Sequence, residues 1–459
     1  MRKAIAAFSF AATALTFPAH ARDTPPVPDQ RDCARVLVTR ATVDDLEALQ
    51  ADADCFADLE AGWDAVADHS RERQASARGS KRYRENRIAE IKRAIPPTPP
   101  APPPSKPTPA PGYVVSPTLE GAERFHTPFD IKLGLTKAGI PGEYSDTKGA
   151  FRFVCGGNGA LRRDDPVVYP GQPGKSHLHQ PWGNADFTAD TTPDSLRQSA
   201  ATDCNDTRYS LNRSLYWQPA LVNDKGEAIQ PDLVVVYYKQ WASDTGPCTP
   251  GAPNFIGKCV GLPNKIRFIF GWDMFDPTAP VKGAVWSCGG NKAKNLADLF
   301  AKGCKEGDTL EANTMGQNCW DGKYLDTPDH RSHVAYAGYD NRGRYYCPAS
   351  HPFTIPQEEN KAQWRVTADM IAADGSPRIR LSSDHMLPGG KPGATLHADY
   401  MEGWVWEAKQ MWQGNCIEKR LSCSSGGLGN GFKLIGAEKP SYGWQNPKAR
   451  VTLQPTPHH

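Results

Sequence analysis

The sequence predicts a mostly β protein: an antiparallel β-sandwich or jelly-roll-like main domain with short helices and long disulfide-tied loops, preceded by a small helical head and a Pro-rich linker. Three observations carry this reading. Short runs of β-formers recur between punctuation by 41 Gly and 41 Pro. Helical periodicity is scarce beyond residue 112. The 12 cysteines form an even set with no C-x-x-C pair, which favours disulfides over a zinc ribbon or a thioredoxin-type site.

The elements follow in chain order. Arg2 and Lys3 precede an apolar run from Ala4 to Phe17, then Pro18 and Ala19-His20-Ala21. A charged start, a short apolar stretch and an A-x-A site predict a signal peptide over residues 1–21, and hence a secreted or periplasmic protein. The run is shorter than the roughly 20 apolar residues a spanning helix needs, and no later stretch reaches that length, so no transmembrane segment is expected in the mature chain.

Residues 22–95 read as a helical head. Thr42 and Asp45 resemble a capping pair, and Leu46, Leu49, Phe56, Leu59 and Trp63 supply apolar positions. Cys33 and Cys55 are its only cysteines and are expected to pair. From Arg71 to Arg93 the head turns basic, which suits a solvated face or contact with an anionic cell-envelope surface. Residues 96–112 contain PPTPPAPPPSKPTPAP, a stretch that extends by about 3.1 Å per residue and reads as a linker.

The main domain spans 113–459. Phe151–Val154, Leu233–Tyr238, Ile266–Phe270 and Val366–Ala368 read as strands, and Asn295–Lys302 and Gly403–Gln413 as helices. Cys248 with Cys259, and Cys416 with Cys423, would close short loops. Trp182, Tyr216, Trp217, Tyr237, Tyr238, Trp320, Tyr324, Trp404 and Trp406 suit sugar rings or a β-domain core, and core is the expectation for most. Lys and Arg total 53 against 51 Asp and Glu, so whole-chain charge points to no nucleic-acid partner. No G-x-S-x-G elbow is present, and Cys155-Gly156-Gly157-Asn158-Gly159 lacks the lysine of a phosphate loop.

Histidines carry the candidate chemistry. His177-Leu178-His179 and His397-Ala398-Asp399 are i, i+2 pairs, which face one side of a strand. Together they offer three imidazoles and a carboxylate, a set that zinc, copper, manganese or iron accepts. The metal-ligand candidates are therefore His177, His179, His333, His397 and Asp399. Asp165, Asp329, His330 and His351 are the acid/base candidates. The competing readings are histidines tied to backbone, a metal-free polar pocket, and turn-forming aspartates, above all Asp165 before Pro166.

These motifs also resemble a known family in their order. Asp165-Pro166-Val167-Val168, Ser176-His177-Leu178-His179, Ser214 to Leu221, Cys319-Trp320-Asp321-Gly322, Asp329-His330-Arg331-Ser332-His333, Cys347-Pro348-Ala349-Ser350-His351-Pro352 and His397-Ala398-Asp399-Tyr400 together resemble the secreted family known as domain of unknown function 1996, over residues 150 to 425. The resemblance implies an extracytoplasmic domain of bacteria and fungi, associated in fungi with carbohydrate-binding modules. It supplies no established activity. Family members commonly place an acidic or aromatic residue and then Phe after the H-x-H pair, where this chain has Gln180-Pro181-Trp182.

The functional expectation is a metal-dependent hydrolase or oxidase acting on cell-envelope or environmental polysaccharide. The alternatives are a non-catalytic glycan- or wall-binding protein, a copper-dependent oxidative enzyme, and a periplasmic metal carrier.

Overall fold

The computed structural model describes residues 85–86, 112–143, 148–184, 186–339, 343–438, 448 and 450–453. The chain divides after Lys106, inside the proline-rich stretch. Of the expected head only Glu85 and Asn86 are described, and both are helical. The expected signal peptide and the Cys33–Cys55 pair lie outside the described residues.

The second unit is built from antiparallel sheets with few, short helices. Its main strands are Lys148–Cys155 (β1), His179–Gly183 (β2), Leu215–Pro219 (β3), Leu233–Trp241 (β4), Arg267–Gly271 (β5), Ala284–Cys288 (β6), Asn291–Ala293 (β7), Thr309–Met315 (β8), Gln357–Arg365 (β9) and His397–Met401 (β10). Six form one sheet in the order β7-β6-β8-β9-β4-β1, and four form a second in the order β5-β10-β3-β2. Every pairing in both sheets is antiparallel.

Side-chain alternation explains how the sheets stack. In the larger sheet Phe151, Phe153, Val234, Val236, Leu310, Ala312, Ala362 and Trp364 point into the main core. The smaller sheet answers with Trp182, Tyr216, Phe268, Phe270, Ala398 and Tyr400. Polar atoms stitch the layers. The Trp182 Nε1–H donates to Asn360 Oδ1 at 3.1 Å, and the Tyr238 hydroxyl lies 2.7 Å from that of Tyr216 and 3.1 Å from that of Tyr400. Trp182, Tyr216, Trp217, Tyr238, Trp320 and Trp404 are all fully buried, so these aromatics are core, as their β setting predicts.

The smaller sheet is buried on both faces. Leu215, Trp217, Ile269 and Met401 alternate onto its second face and pack beneath Val167, Phe187 and Leu196 from the covering loop and helix. That second face also receives the odd-numbered residues of β10, His397 and Asp399. A sheet covered on both sides loses the alternating polar signature of an exposed one.

Five disulfides close the described loops: Cys155–Cys204, Cys248–Cys259, Cys288–Cys304, Cys319–Cys347 and Cys416–Cys423. The two short pairs are those expected from spacing. Each typically adds about 2–4 kcal/mol by restricting the unfolded chain. Helix Leu296–Ala301 (α1) sits inside the expected Asn295–Lys302, because the Asn295 side chain accepts from Asp298 N–H at 2.8 Å and caps it. Helix Trp406–Met411 (α2) starts later than Gly403 and continues as a π-turn over Trp412–Ile417. Trp404 is held back by a bridge to Asn212. Val366–Ala368 is not a strand. Val366 N–H still donates to Asp308 O, its next register partner, but Asp308 N–H turns to Lys305 O and ends the ladder, and Ala368–Met370 forms a 3-10 turn.

Candidate metal centre

Three histidines converge on the second face of the smaller sheet. His179 opens β2, and its backbone exchanges hydrogen bonds with Arg162 on the outer edge of the strand. His177, two residues earlier, points to the same side, and its ring centroid lies 4.2 Å from that of His179. His397 opens β10 two strands away, with its ring 5.1 Å from His177. The approach there depends on Gly271, opposite His397 in the ladder: with φ of +93° and His397 Cα only 2.7 Å from where a Cβ would sit, no other residue fits.

Tautomers follow from the partners. His179 Nδ1 lies 2.9 Å from Asp164 O, and His397 Nδ1 lies 2.8 Å from Thr395 O. A carbonyl only accepts, so both Nδ1 atoms carry the proton and both Nε2 atoms present lone pairs. The Nε2 atoms of His177, His179 and His397 are buried and find no hydrogen-bond partner among the described residues. The three rings supply ligand atoms that all lie within 4.8 Å of one another. Burial drives every one of these imidazoles toward neutrality: His177 well below its ordinary value, with His179 and His397 adding to the effect, His179 lowered, and His397 down to about 3. Two neutral imidazoles with Nδ1 fixed by a carbonyl, and a third beside them, form a set suited to a metal.

The family model described as Domain of unknown function (DUF1996) matches residues 165–404, a span that contains all three rings. The chain belongs to this family. No curated protein and no solved structure matches it significantly.

The other predicted residues divide around this DUF1996 centre. Asp399 shares its face but is not among the residues whose ligand atoms converge. Both of its carboxylate oxygens are buried without a partner among the described residues. Burial, then the nearby Asp165, pushes its carboxyl far above the ordinary range, while Arg331 pulls the other way. Asp165 is chiefly a turn-former: its Oδ1 accepts from the N–H groups of Val167 (2.9 Å) and Val168 (2.8 Å). It is still near enough to act electrostatically on His179 and Asp399.

His333 is not a metal ligand in this geometry. Its Nδ1 lies 2.9 Å from Thr327 Oγ1 and its Nε2 lies 2.9 Å from Arg267 O, so both ring nitrogens are used. His330 sits in the left-handed region at φ 53° in a turn, with Nδ1 2.8 Å from Asp326 Oδ1. Arg267 pairs with the other Asp326 oxygen at 2.6 Å. Asp329 accepts from Thr327 Oγ1, Ser332 Oγ, Ser332 N–H and Arg331 N–H. Those bonds outweigh burial and hold its carboxyl at about 2, a poor general base. His351 Nε2 lies 3.0 Å from Ser332 O at the exposed side of the same loop. These four residues clamp the 326–333 loop. Sequence reasoning passed over Arg331 within that loop, together with Trp272 and Arg163. Only the long-range fold shows that they border the histidines.

Proposed function

We propose that the protein is exported and that its DUF1996 domain holds one divalent metal ion on the Nε2 atoms of His177, His179 and His397, for metal-assisted chemistry on a polysaccharide of the cell envelope or environment. One observation carries the reading: three buried Nε2 atoms in one converging set of imidazoles, none with a hydrogen-bond partner among the described residues. Left unmatched, each such group costs about 1–3 kcal/mol. An all-imidazole set suits zinc or copper better than manganese or iron, which recruit carboxylates more often. Three protein ligands leave a position open for water or substrate, and a metal there would lower the pKa of bound water or, if copper, support oxidative chemistry.

The chain's own residues would do the rest. The Asp164 and Thr395 carbonyls fix the tautomers. Asp399 holds a proton beside the site and can release it as a counter-charge when the cation binds. The five disulfides and the absence, among the described residues, of any helix long and apolar enough to cross a membrane agree with work outside the cytoplasm. The head and proline-rich segment would then anchor and space the domain.

Metal analysis of the purified protein, of His177→Ala and of His397→Ala tests the centre. Stoichiometric metal in the parent and its loss in both variants is expected; unchanged content in both variants would remove the ligands. A product assay on glycans with zinc and with copper separates catalysis from the alternative of a non-catalytic glycan binder.

A further inference from the structure

We propose that Lys409 Nζ and the side chain of Asn264 join in an intramolecular isopeptide bond, formed by the protein itself with Glu402 carrying the proton. None of the three residues is a ligand of the histidine centre, so the bond and the metal site stand or fall separately.

Lys409 lies on α2 and is the one buried lysine among the described residues. Leu262, Ile266, Val405 and Ala408 around it are buried as well. Its Nζ donates to Glu402 Oε1 at 2.9 Å, to Leu262 O at 3.1 Å and to Asn264 Oδ1. Glu402 and Asn264 are themselves buried. Asn264 is held from three directions. Its main-chain N–H donates to Glu120 O at 2.7 Å, its main-chain carbonyl accepts from Ala122 N–H at 3.2 Å, and its Nδ2–H donates to Ala122 O at 3.1 Å. That last bond turns the side-chain amide so that its oxygen, with Cγ one bond behind, meets the amine. Glu402 is fixed in the same way. Its Oε2 accepts from Arg197 Nη2 at 2.5 Å and from Lys265 N–H at 2.8 Å, and its Oε1 accepts from Trp404 N–H at 3.1 Å.

An amine, an amide carbonyl and a carboxylate in mutual contact, walled from water, are the complete set of reactants for amide exchange. Glu402 takes one proton from the Lys409 ammonium. The neutral amine adds to Asn264 Cγ and forms the new N–C bond. One of the two protons left on the Lys409 nitrogen passes to Nδ2 as the Cγ–Nδ2 bond breaks. The proton on Glu402 then leaves with the ammonia as ammonium, and the carboxylate is restored. No oxidant, metal or cofactor is consumed. The surroundings favour the first step. Burial pulls the Lys409 ammonium below its ordinary value against the pull of Glu402, and Arg197 adds to the fall. Burial alone would raise Glu402, but Lys409 and Arg197 outweigh it and keep the carboxyl in the form that accepts a proton. The product ties α2 to the segment leading into β5, across 145 residues of sequence, where the longest described disulfide spans 49. Such a closure restricts the unfolded chain as a disulfide does, and it survives reduction.

Tryptic mapping of the reduced and alkylated full chain by tandem mass spectrometry reads the bond, because trypsin does not cut after an acylated lysine. One branched peptide joining residues 259–265 to residues 381–419 is expected, lighter than the two separate peptides together by one ammonia. Glu402→Gln and Lys409→Arg should each lack it. Separate peptides 259–265 and 381–409 from the unaltered protein, with Asn264 an intact amide, overturn the bond whatever the variants do. A branched peptide undiminished in Glu402→Gln overturns the part given to Glu402.

Discussion

Two groups of histidines lie within one domain and have opposite fates. His177, His179 and His397 each leave Nε2 buried and unmatched, and the three aim at one place. His330, His333 and His351 each reach a specific acceptor or donor, and His333 uses both ring nitrogens. In the first group His179 and His397 open strands β2 and β10, and His177 lies two residues before β2. The second group sits in and against a turn, where each ring meets a different partner. Six histidines in four polar motifs look alike as text. The difference is whether the second nitrogen has anything left to do.

The largest expected effect tests that contrast directly. His179→Ala should lose its bound metal, whereas His351→Ala should keep it; atomic absorption on the two proteins reads this, and parallel loss in both would erase the distinction. Next comes the clamp itself. Asp326→Asn removes the charge that holds Arg267 and His330, and the group is buried with Arg267 85% covered. A buried pair that loses one charge typically costs about 3–5 kcal/mol, so urea denaturation should show a loss toward the lower end of that range. A loss below about 0.5 kcal/mol would make the loop's network an ornament of the surface.

A smaller effect is expected with pH. Burial lowers His333 from 6.5 to about 4. Above pH 6.5 the ring is neutral in both the folded and unfolded chain. As pH falls below 6.5 the unfolded chain takes up a proton that the folded chain refuses until about pH 4, so stability should fall through that window and this contribution should then level off. Denaturant midpoints measured from pH 7 to pH 4 should show the decline, with a shallower slope in His333→Asn. A slope unchanged in that variant would assign the decline to other groups. The smallest effect is expected at the rim: His351→Ala removes an exposed contact to Ser332 O and should change stability by no more than about 0.5 kcal/mol.

Much of the architecture is legible in the sequence because it is local. β-formers between glycines and prolines mark β1, β4 and β5, and Asn295 marks the start of α1. The i, i+2 spacing of His177 with His179 follows from strand periodicity alone. What the sequence conceals is long-range. His333 is satisfied by the carbonyl of Arg267, 66 residues away. Arg331 gains its position from Trp272, 59 residues away. Asp399 is on the expected face, yet it is not among the residues whose ligand atoms converge. Val366 looks like a strand residue because it is β-branched, but its register partner Asp308 turns its own N–H to Lys305 O and the ladder stops there.

X-ray absorption on the zinc-loaded full chain tests the central claim most directly. Three imidazole nitrogens at about 2.0 Å are expected around a single stoichiometric zinc. A spectrum without imidazole scattering, or a protein that binds no zinc in proportion to its chain, would contradict it.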